Sequence, residues 1–131
     1  MSPELISQYQ ISFQNKIIDF EEQGKEIHKI LSTNNSFISE FFLDWRNGIE
    51  IQDYLLPDIE SVLNNEEDEI QAESETFSVL MYQNKVVFYP ENHDPFEIPT
   101  LDFKEIAIAW RDFLFESPLN GSKVDDIGLI V

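Results

Sequence analysis

The stretch "TFSVLMYQNKVVFYP", residues 76–90, decides the fold class of this chain. Its two halves, "TFSVLMY" and "KVVFYP", are rich in aromatic and β-branched residues, and the dipeptide "QN" joins them. Such a composition with a short polar connection is typical of a β-hairpin. Asn84 tolerates the positive φ that a tight turn requires. The sequence therefore predicts two antiparallel strands within residues 76–90.

Two helices are predicted upstream of this hairpin, because apolar residues recur there every three or four positions. The buried stripe of the first is Ile38, Phe41, Phe42 and Trp45. Ser36 is placed to cap its N-terminus, and Asn47-Gly48 is placed to end it. The buried stripe of the second is Ile51, Leu55, Ile59, Val62 and Leu63. Pro57 fits this second helix only in a first turn or between two pieces.

The best-defined helix is predicted downstream of the hairpin. Asp102 and Glu105 have the spacing of a capping box at its start. Pro118 and Asn120-Gly121 are placed to end it, and the apolar tail "DDIGLIV", residues 125–131, predicts a short edge strand. Two packed faces are expected, a main stripe and a second one spaced by seven residues: Phe103, Ile106, Trp110, Phe113 and Leu114, then Leu101, Ile108 and Phe115.

Helix is the favoured prediction for the first twenty residues. Gly24 interrupts this pattern, and "KEIHKILS", residues 25–32, predicts a short helix after it. The stretch from Ile11 to Phe20 also fits an extended strand, because Ile11 and Phe13 alternate with polar neighbours. The helical spacing is carried by Ile6, Tyr9, Phe13, Ile17 and Phe20 before Gly24, and by Ile27, Ile30 and Leu31 after it. "ENHDPFEIP", residues 91–99, is interpreted as a connector.

These elements predict one α+β domain that spans residues 1–131, with N-terminal helices and a C-terminal helix packed on a small antiparallel sheet. A chain of 131 residues fits one domain, and it contains no repeat or linker. With 42% hydrophobic residues, including eleven Phe, the chain is too apolar to be disordered. The core is expected to include Phe41, Trp45, Trp110 and Phe113.

The net charge of the sequence is its most unusual property. Twenty-six Asp and Glu against eight Lys and Arg give a formal net charge of −18. Such a surface repels nucleic acid and anionic membranes, whereas it attracts cations and basic proteins. We therefore expect a basic protein partner and neither a nucleic acid nor a membrane. Acidity also serves solubility, so this simpler explanation of the charge stays open.

The sequence predicts a cytoplasmic protein. It contains no cysteine and hence no disulfide framework. The N-terminal stretch "MSPELISQYQISFQNK" lacks the basic start and the continuous apolar run of a signal peptide. No stretch approaches the ~20 consecutive apolar residues of a membrane-spanning helix.

The stretch "NNEEDEIQAESE", residues 64–75, carries six acidic side chains and no basic one. A solvated loop or helix end, a metal site, and an arm that binds a basic partner are the three explanations. A calcium-binding EF-hand loop needs a glycine at its sixth position and alternating oxygen ligands, which this stretch lacks. The first and third explanations stay open. The partner-binding candidates are Glu66, Glu67, Asp68, Glu69, Glu73 and Glu75.

The sequence predicts no catalytic residues, no metal and no cofactor. The only histidines are His28 and His93, and "NHDP" lacks the further His ligands of a metal phosphohydrolase. Neither a nucleophile elbow nor a phosphate-binding glycine loop occurs.

The helix residues Phe103, Ile106, Trp110, Phe113 and Leu114 follow the hairpin and a proline. In this arrangement, residues 79–116 resemble small immunity proteins of bacterial polymorphic-toxin and contact-dependent growth inhibition systems. Those cytoplasmic, frequently acidic proteins neutralise a cognate toxin, which is often a nuclease. The resemblance implies a noncatalytic protein that binds a basic toxin domain, and it transfers no binding residue.

Two further functions are considered beside this one. An acidic DNA mimic that inhibits a host-defence nuclease would spread its carboxylates over several faces, like phosphates along a duplex. A small ligand-binding domain or enzyme would need candidate site residues that the sequence does not offer. For a protein partner, aromatic anchors are expected beside the carboxylates, with Tyr82 and Tyr89 as candidates.

Overall fold

A computed structural model describes residues 1–19, 21–22 and 24–116 of the chain. The predicted edge strand at residues 125–131 and the predicted helix stop at Pro118 and Asn120-Gly121 lie outside the described residues. In chain order the elements are α1 (Pro3–Tyr9), β1 (Ser12–Asp19), β2 (Lys25–Ser32), α2 (Ser36–Asp44), α3 (Gly48–Glu50), a π-helical segment (Ile51–Leu55), α4 (Leu56–Leu63), β3 (Ile70–Glu73), β4 (Ser78–Met81), β5 (Lys85–Tyr89), β6 (Phe96–Pro99) and α5 (Thr100–Phe115).

The described strands form two antiparallel sheets, and the predicted α+β class is confirmed. Strands β1 and β2 pair with each other, and the other four form a sheet in the order β3-β4-β5-β6. The hairpin predicted from residues 76–90 is β4–β5, with Met81 opposite Val86 and Val79 opposite Phe88. These four side chains are buried on one face of the sheet, toward α2 and α5.

Helix α2 begins and ends at residues other than those predicted, although Ile38, Phe41 and Phe42 of its predicted stripe are buried. Asn35, and not Ser36, is the N-cap, and its Oδ1 accepts from the backbone N–H groups of Phe37 at 2.9 Å and Ile38 at 3.2 Å. The Asn35 backbone is extended, as a cap residue requires, whereas Ser36 is already helical.

Asn47-Gly48 starts the next helix and does not end α2, which stops at Asp44. Asn47 Oδ1 accepts from the backbone N–H of Ile49 at 2.9 Å. A Cβ added to Gly48 would lie 2.9 Å from the ring of Phe115, so glycine lets α5 approach this helix closely. Helix then runs through residues 48–63, with a π-helical segment that precedes the first turn of α4, where Pro57 lies.

The favoured helical prediction is wrong beyond α1, whereas the extended alternative for the stretch from Ile11 agrees with β1. Residues 12–19 and 25–32 are the two strands of a hairpin, with Phe13 opposite Leu31 and Ile17 opposite Ile27. Phe13, Ile17, Ile27 and Leu31 fit both a helical spacing and this alternation, whereas Ile30 lies on the other face of β2. Gly24, with φ of +86°, lies in the connection, where a positive φ favours glycine. Pairing with a neighbouring strand thus overrides the local helical pattern.

The β1–β2 hairpin is attached to the end of α5. The ring of Phe13 stacks on those of Trp110 and Phe113, with centroid distances of 6.1 and 5.4 Å. Lys29 Nζ donates to the Phe113 carbonyl at 2.6 Å and lies 4.3 Å from the Phe113 ring centroid. Burial lowers the pKa of the Lys29 ammonium. The lysine supplies the positive charge that α5 lacks in its own last turn.

Helix α5 confirms its main buried stripe and contradicts its second. Phe103, Ile106 and Trp110 are fully buried. Leu101 is 64% exposed and Phe115 is 49% exposed, so these two positions do not form a second packed face. Among the four predicted core residues, Phe41 and Trp110 are fully buried, whereas Trp45 and Phe113 are partly buried against the core.

The segment before α5 also differs from the prediction. Residues 96–99 form the edge strand β6, where a connector was expected, and Pro99 is its last residue. An edge strand tolerates the missing N–H of proline. The capping box is not formed, because α5 starts at Thr100, before Asp102. Asp102 Oδ2 instead accepts from the hydroxyl of Tyr9 at 2.6 Å and ties α1 to α5.

The buried residues of both sheets and of the helices form one hydrophobic cluster, from Leu5 to Trp110. None of the helices within the described residues is long and apolar enough to cross a membrane.

Candidate protein-binding surface

The acidic stretch at residues 64–75 is a turn, a strand and part of a second turn. Helix α4 ends in a Schellman-type turn, in which Asn65 has φ of +62° and its N–H donates to the Val62 carbonyl at 3.2 Å. The N–H of Glu66 donates to the Ser61 carbonyl at 2.8 Å. The exposed side chains of Glu66, Glu67 and Asp68 therefore extend from backbone held by the helix end.

The rest of the stretch contains β3, which the sequence analysis did not predict. Ile70 pairs with Met81 and Ala72 pairs with Val79, so their side chains join the inner face of the sheet. The loop explanation is therefore wrong for residues 70–73. Because most residues of this stretch are charged or polar, its strand alternation was not recognised. Only the side chains of Ile70 and Ala72 point toward the core.

The opposite face of the four-stranded sheet, which we call the open sheet face, has an apolar middle and an acidic rim. One cross-strand row runs through Gln71, Leu80, Val87 and Glu97. A second row runs through Glu73, Ser78 and Tyr89. The apolar and aromatic side chains come from the central strands β4 and β5, and the carboxylates from the edge strands β3 and β6. Tyr89 is 41% exposed.

Glu69 and Tyr82 form a hydrogen bond at one end of the open sheet face. The Tyr82 hydroxyl donates to Glu69 Oε1 at 2.5 Å. This hydrogen bond to a carboxylate is the main cause that raises the pKa of Tyr82 to about 12, with smaller contributions from burial and from the charge of Glu69. Glu69 is thereby held against the sheet, unlike the three carboxylates before it.

The substitution Glu69→Gln is expected to lower the pKa of Tyr82 toward its ordinary value of 10.0. The folded-state pKa of wild type exceeds the unfolded value, so the bond stabilises the fold below pH 10 and is lost as the pH rises through about 12. NMR titration of the Tyr82 ring, assigned with a Tyr82→Phe variant, measures the change. An unchanged Tyr82 titration in Glu69→Gln would show that Glu69 is not the cause.

Glu73 and Glu75 lie at the other end of β3, where α2 ends. Trp45 Nε1 donates to the Glu73 carbonyl at 3.2 Å. The N–H of Glu75 donates to Asp44 Oδ2 at 2.9 Å. Thr76 Oγ1 donates to Glu40 Oε1 at 2.8 Å. These contacts bring two carboxylates of α2 beside the predicted ones, so the six candidates form two acidic groups, one at each end of β3.

The negative surface extends beyond the predicted stretch. Residues 47–84 contain ten Asp and Glu and no Lys, Arg or His. On the helical segment before β3, Glu50 and Asp53 are exposed beside Tyr54, which is 64% exposed. An ion pair to Lys104 compensates Glu60. The sequence analysis did not select the helical carboxylates, because their spacing is also that of any solvated helix face.

The two histidines make local contacts. His28 Nε2 lies 3.1 Å from Glu26 Oε2, and His93 Nδ1 lies 2.9 Å from the Glu91 carbonyl. The His93 ring packs edge-on against Phe37. Among the described residues, no three His, Asp or Glu side chains converge as a set of metal ligands.

Two surface pockets bear on the small-ligand alternative. One, of about 170 Å³, is lined by Met1, Glu105, Ile108, Ala109 and Asp112. The other, of about 280 Å³, is lined by Ile27, His28, Lys29, Arg46 and Leu114. Both are smaller than the ~300–1,000 Å³ that is usual for ligand sites. These pockets do not favour a small ligand over a protein partner.

Comparison with known proteins finds no matching family model, no matching curated protein and no matching solved structure. The assignment of a function therefore depends on the physical properties of the surface.

The sequence analysis missed the open sheet face, although a signal for it is present. The central strands carry apolar residues at consecutive positions, Val79-Leu80-Met81 and Val86-Val87-Phe88. A strand with one solvated face alternates apolar and polar residues. Consecutive apolar residues indicate that both faces of β4 and β5 are apolar, which is the property that makes the outer face a candidate for binding.

Proposed function

We propose that this chain is a noncatalytic immunity protein that binds and neutralises a basic bacterial toxin domain in the cytoplasm, with a nuclease as the expected toxin. The observation that carries the proposal is the run of ten carboxylates without a cation in residues 47–84. These carboxylates lie on the helical segment of residues 48–63, in the turn that follows it, and on β3 and the turn after it. A surplus of negative charge on ordered backbone, which Lys104 offsets at Glu60, supports recognition of a partner of opposite charge.

The chemistry of nucleases supports this choice of partner. A nuclease binds the phosphates of its substrate with Lys and Arg side chains. Clustered carboxylates can occupy such a site in place of phosphates, and their field accelerates the encounter of the two proteins. Inhibition by this route needs no catalytic group in the inhibitor.

An acidic DNA mimic is the second candidate. Exposed carboxylates on the helical segment, Glu50 and Asp53, add a further acidic element to the group at residues 66–69. A mimic of DNA presents negative charge over several faces, so the inhibitory effect would depend on the total number of carboxylates and little on their position.

Simultaneous replacement of Glu66, Glu67 and Glu69 by Gln and of Asp68 by Asn tests the proposal. As the partner, the test uses the protein encoded immediately upstream of this gene. At low salt we expect the association rate constant to fall about tenfold or more, because local electrostatic steering is lost. Rising salt should bring the rates of variant and wild type together. Stopped-flow association at several salt concentrations and survival of toxin-expressing cells are the measurements.

The matched control replaces four exposed carboxylates of α1 and the β1–β2 hairpin by Gln: Glu4, Glu21, Glu22 and Glu26. It changes the net charge by the same amount, so it should lose only the long-range part of the attraction. Equal losses in both variants would favour the DNA mimic. A wild-type chain that neither binds the upstream product nor protects cells from it would contradict the proposed function.

A further inference from the structure

The open sheet face has the anatomy of the centre of a protein–protein interface. Such interfaces combine an apolar, aromatic middle with a polar rim. Leu80 and Val87 are directly paired across β4 and β5 on this face, where a solvated sheet would carry polar residues. Tyr82 and Tyr89 flank this pair. Tyrosine is among the residues that dominate binding energy at interfaces.

Within the part of the chain that the structure describes, α2 and α5 cover the opposite side of the sheet, and Leu80 and Val87 on the open sheet face are half-buried. Phe88, whose side chain points to that opposite side, lies within 6.1 Å of both Phe41 and Phe103, measured between ring centroids. Tyr89 follows Phe88 in β5 and keeps 41% of its surface exposed.

We propose that the open sheet face is the docking surface for a cationic protein partner, with Tyr89 as its aromatic anchor. The inference rests on the proposed function, because it names the surface at which the basic toxin domain binds. The complementary surface of the partner is an apolar patch surrounded by Lys and Arg.

The carboxylates of the rim favour a partner with a positively charged surface. Glu73 and Glu97 lie on the two edge strands beside the apolar middle, and Glu69 lies just before β3, bonded to Tyr82. Lys85 is the one cation in β3 to β6, and it pairs with Glu97 at 3.6 Å, so Glu69 and Glu73 are the rim carboxylates that supply the net negative charge. A second copy of this chain would bring two acidic rims together, which costs energy.

The open sheet face is too small to be a complete protein–protein interface, so it would form the centre of a larger one. Four strands spaced by ~4.8 Å and about five residues of ~3.3 Å each give a face of roughly 14 by 16 Å. A stable complex buries about 800 Å² on each partner. The interface with the partner therefore also includes the rim carboxylates. Residues 66–68 come just before β3 in the chain, so their exposed carboxylates are the next part of the surface that the partner would cover.

NMR mapping on the full chain with a defined probe tests this inference. The probe is an amidated heptapeptide in which four lysines alternate with tryptophan, leucine and tryptophan. The control peptide has the same charge and glycine at the three apolar positions. We expect the largest amide shifts at Leu80, Val87 and Tyr89, and at least about tenfold weaker binding of the control peptide, because the apolar anchors supply most of the energy.

Two tyrosine variants make the test specific. Tyr89→Ala should weaken binding of the probe about tenfold, whereas Tyr54→Ala, at a more exposed tyrosine of the helical segment, should change it less than about twofold. Tyr89→Phe should bind like wild type, which separates loss of the ring from loss of folding.

The inference is overturned if the largest shifts fall on residues 66–68 or on the helical segment, if both peptides bind equally, or if the free protein is a dimer through this face. Because the peptide contains no toxin sequence, these results are independent of whether the chain neutralises the upstream product.

Discussion

Trp110→Ala is expected to lower the free energy of unfolding by about 3–5 kcal/mol, which is the usual cost of removing a large buried aromatic side chain. Trp110 is fully buried, and its ring stacks with those of Phe13 and Phe113. Its Nε1 donates to the carbonyls of Phe42 at 2.8 Å and Trp45 at 2.9 Å. The side chain thus joins α5 to the β1–β2 hairpin and to the end of α2.

Urea unfolding followed by circular dichroism measures this loss. Trp110→Phe is the matched variant, since it keeps an apolar ring and removes the donor to the two carbonyls. It should cost less than Trp110→Ala, about 1–3 kcal/mol, mainly because buried carbonyl groups lose their partner. A loss below about 1 kcal/mol for Trp110→Ala, the usual range of surface positions, would contradict the packing described here.

Phe41→Ala is expected to cost a similar amount, about 3–5 kcal/mol, because its ring lies at the centre of the aromatic cluster. Phe41 is fully buried. Centroids of five other rings lie within 6.5 Å of its own: Phe42, Trp45, Phe77, Phe88 and Phe103. The variant therefore leaves a cavity between α2, the four-stranded sheet and α5.

Phe37, one turn earlier on α2, provides the control. Its ring is half-buried and contacts Phe77, Phe96 and His93 at the edge of the cluster. Phe37→Ala should cost no more than about half as much as Phe41→Ala, since less apolar surface is transferred to water and solvent can fill the space. Equal losses in thermal and urea unfolding would place the centre of the core elsewhere.

Local sequence patterns predicted the elements whose partners are close in the chain. The β4–β5 hairpin and the buried stripes of α2 and α5 follow from alternation and from helical spacing. The β1–β2 hairpin did not, because Ile27 and Leu31, four residues apart, fit one face of a helix and one face of a strand equally well. Tertiary contacts decided between them, since the hairpin buries Phe13 and Leu31 against the rest of the core.

For the candidate site, too, the sequence predicted what a local pattern carries and missed what depends on the complete fold. Sequence composition located the six carboxylates, but not the strand that arranges Glu69 and Glu73 beside Leu80 and Tyr89. Whether an apolar residue of a strand is covered depends on which face of the sheet receives the helices. That choice is a property of the complete fold, and no local pattern around Leu80 or Val87 encodes it.

The edge strands of the four-stranded sheet also bear on aggregation in crowded solution. Edge strands are where sheets of neighbouring molecules join into amyloid-like stacks. Strand β3 has only four residues, with the held carboxylate of Glu69 just before its first residue and Glu73 at its other end. Strand β6 ends in Pro99, which has no N–H to donate. The chain thus protects both edges against its own copies, and on β3 the protecting groups are carboxylates that would attract a cationic chain.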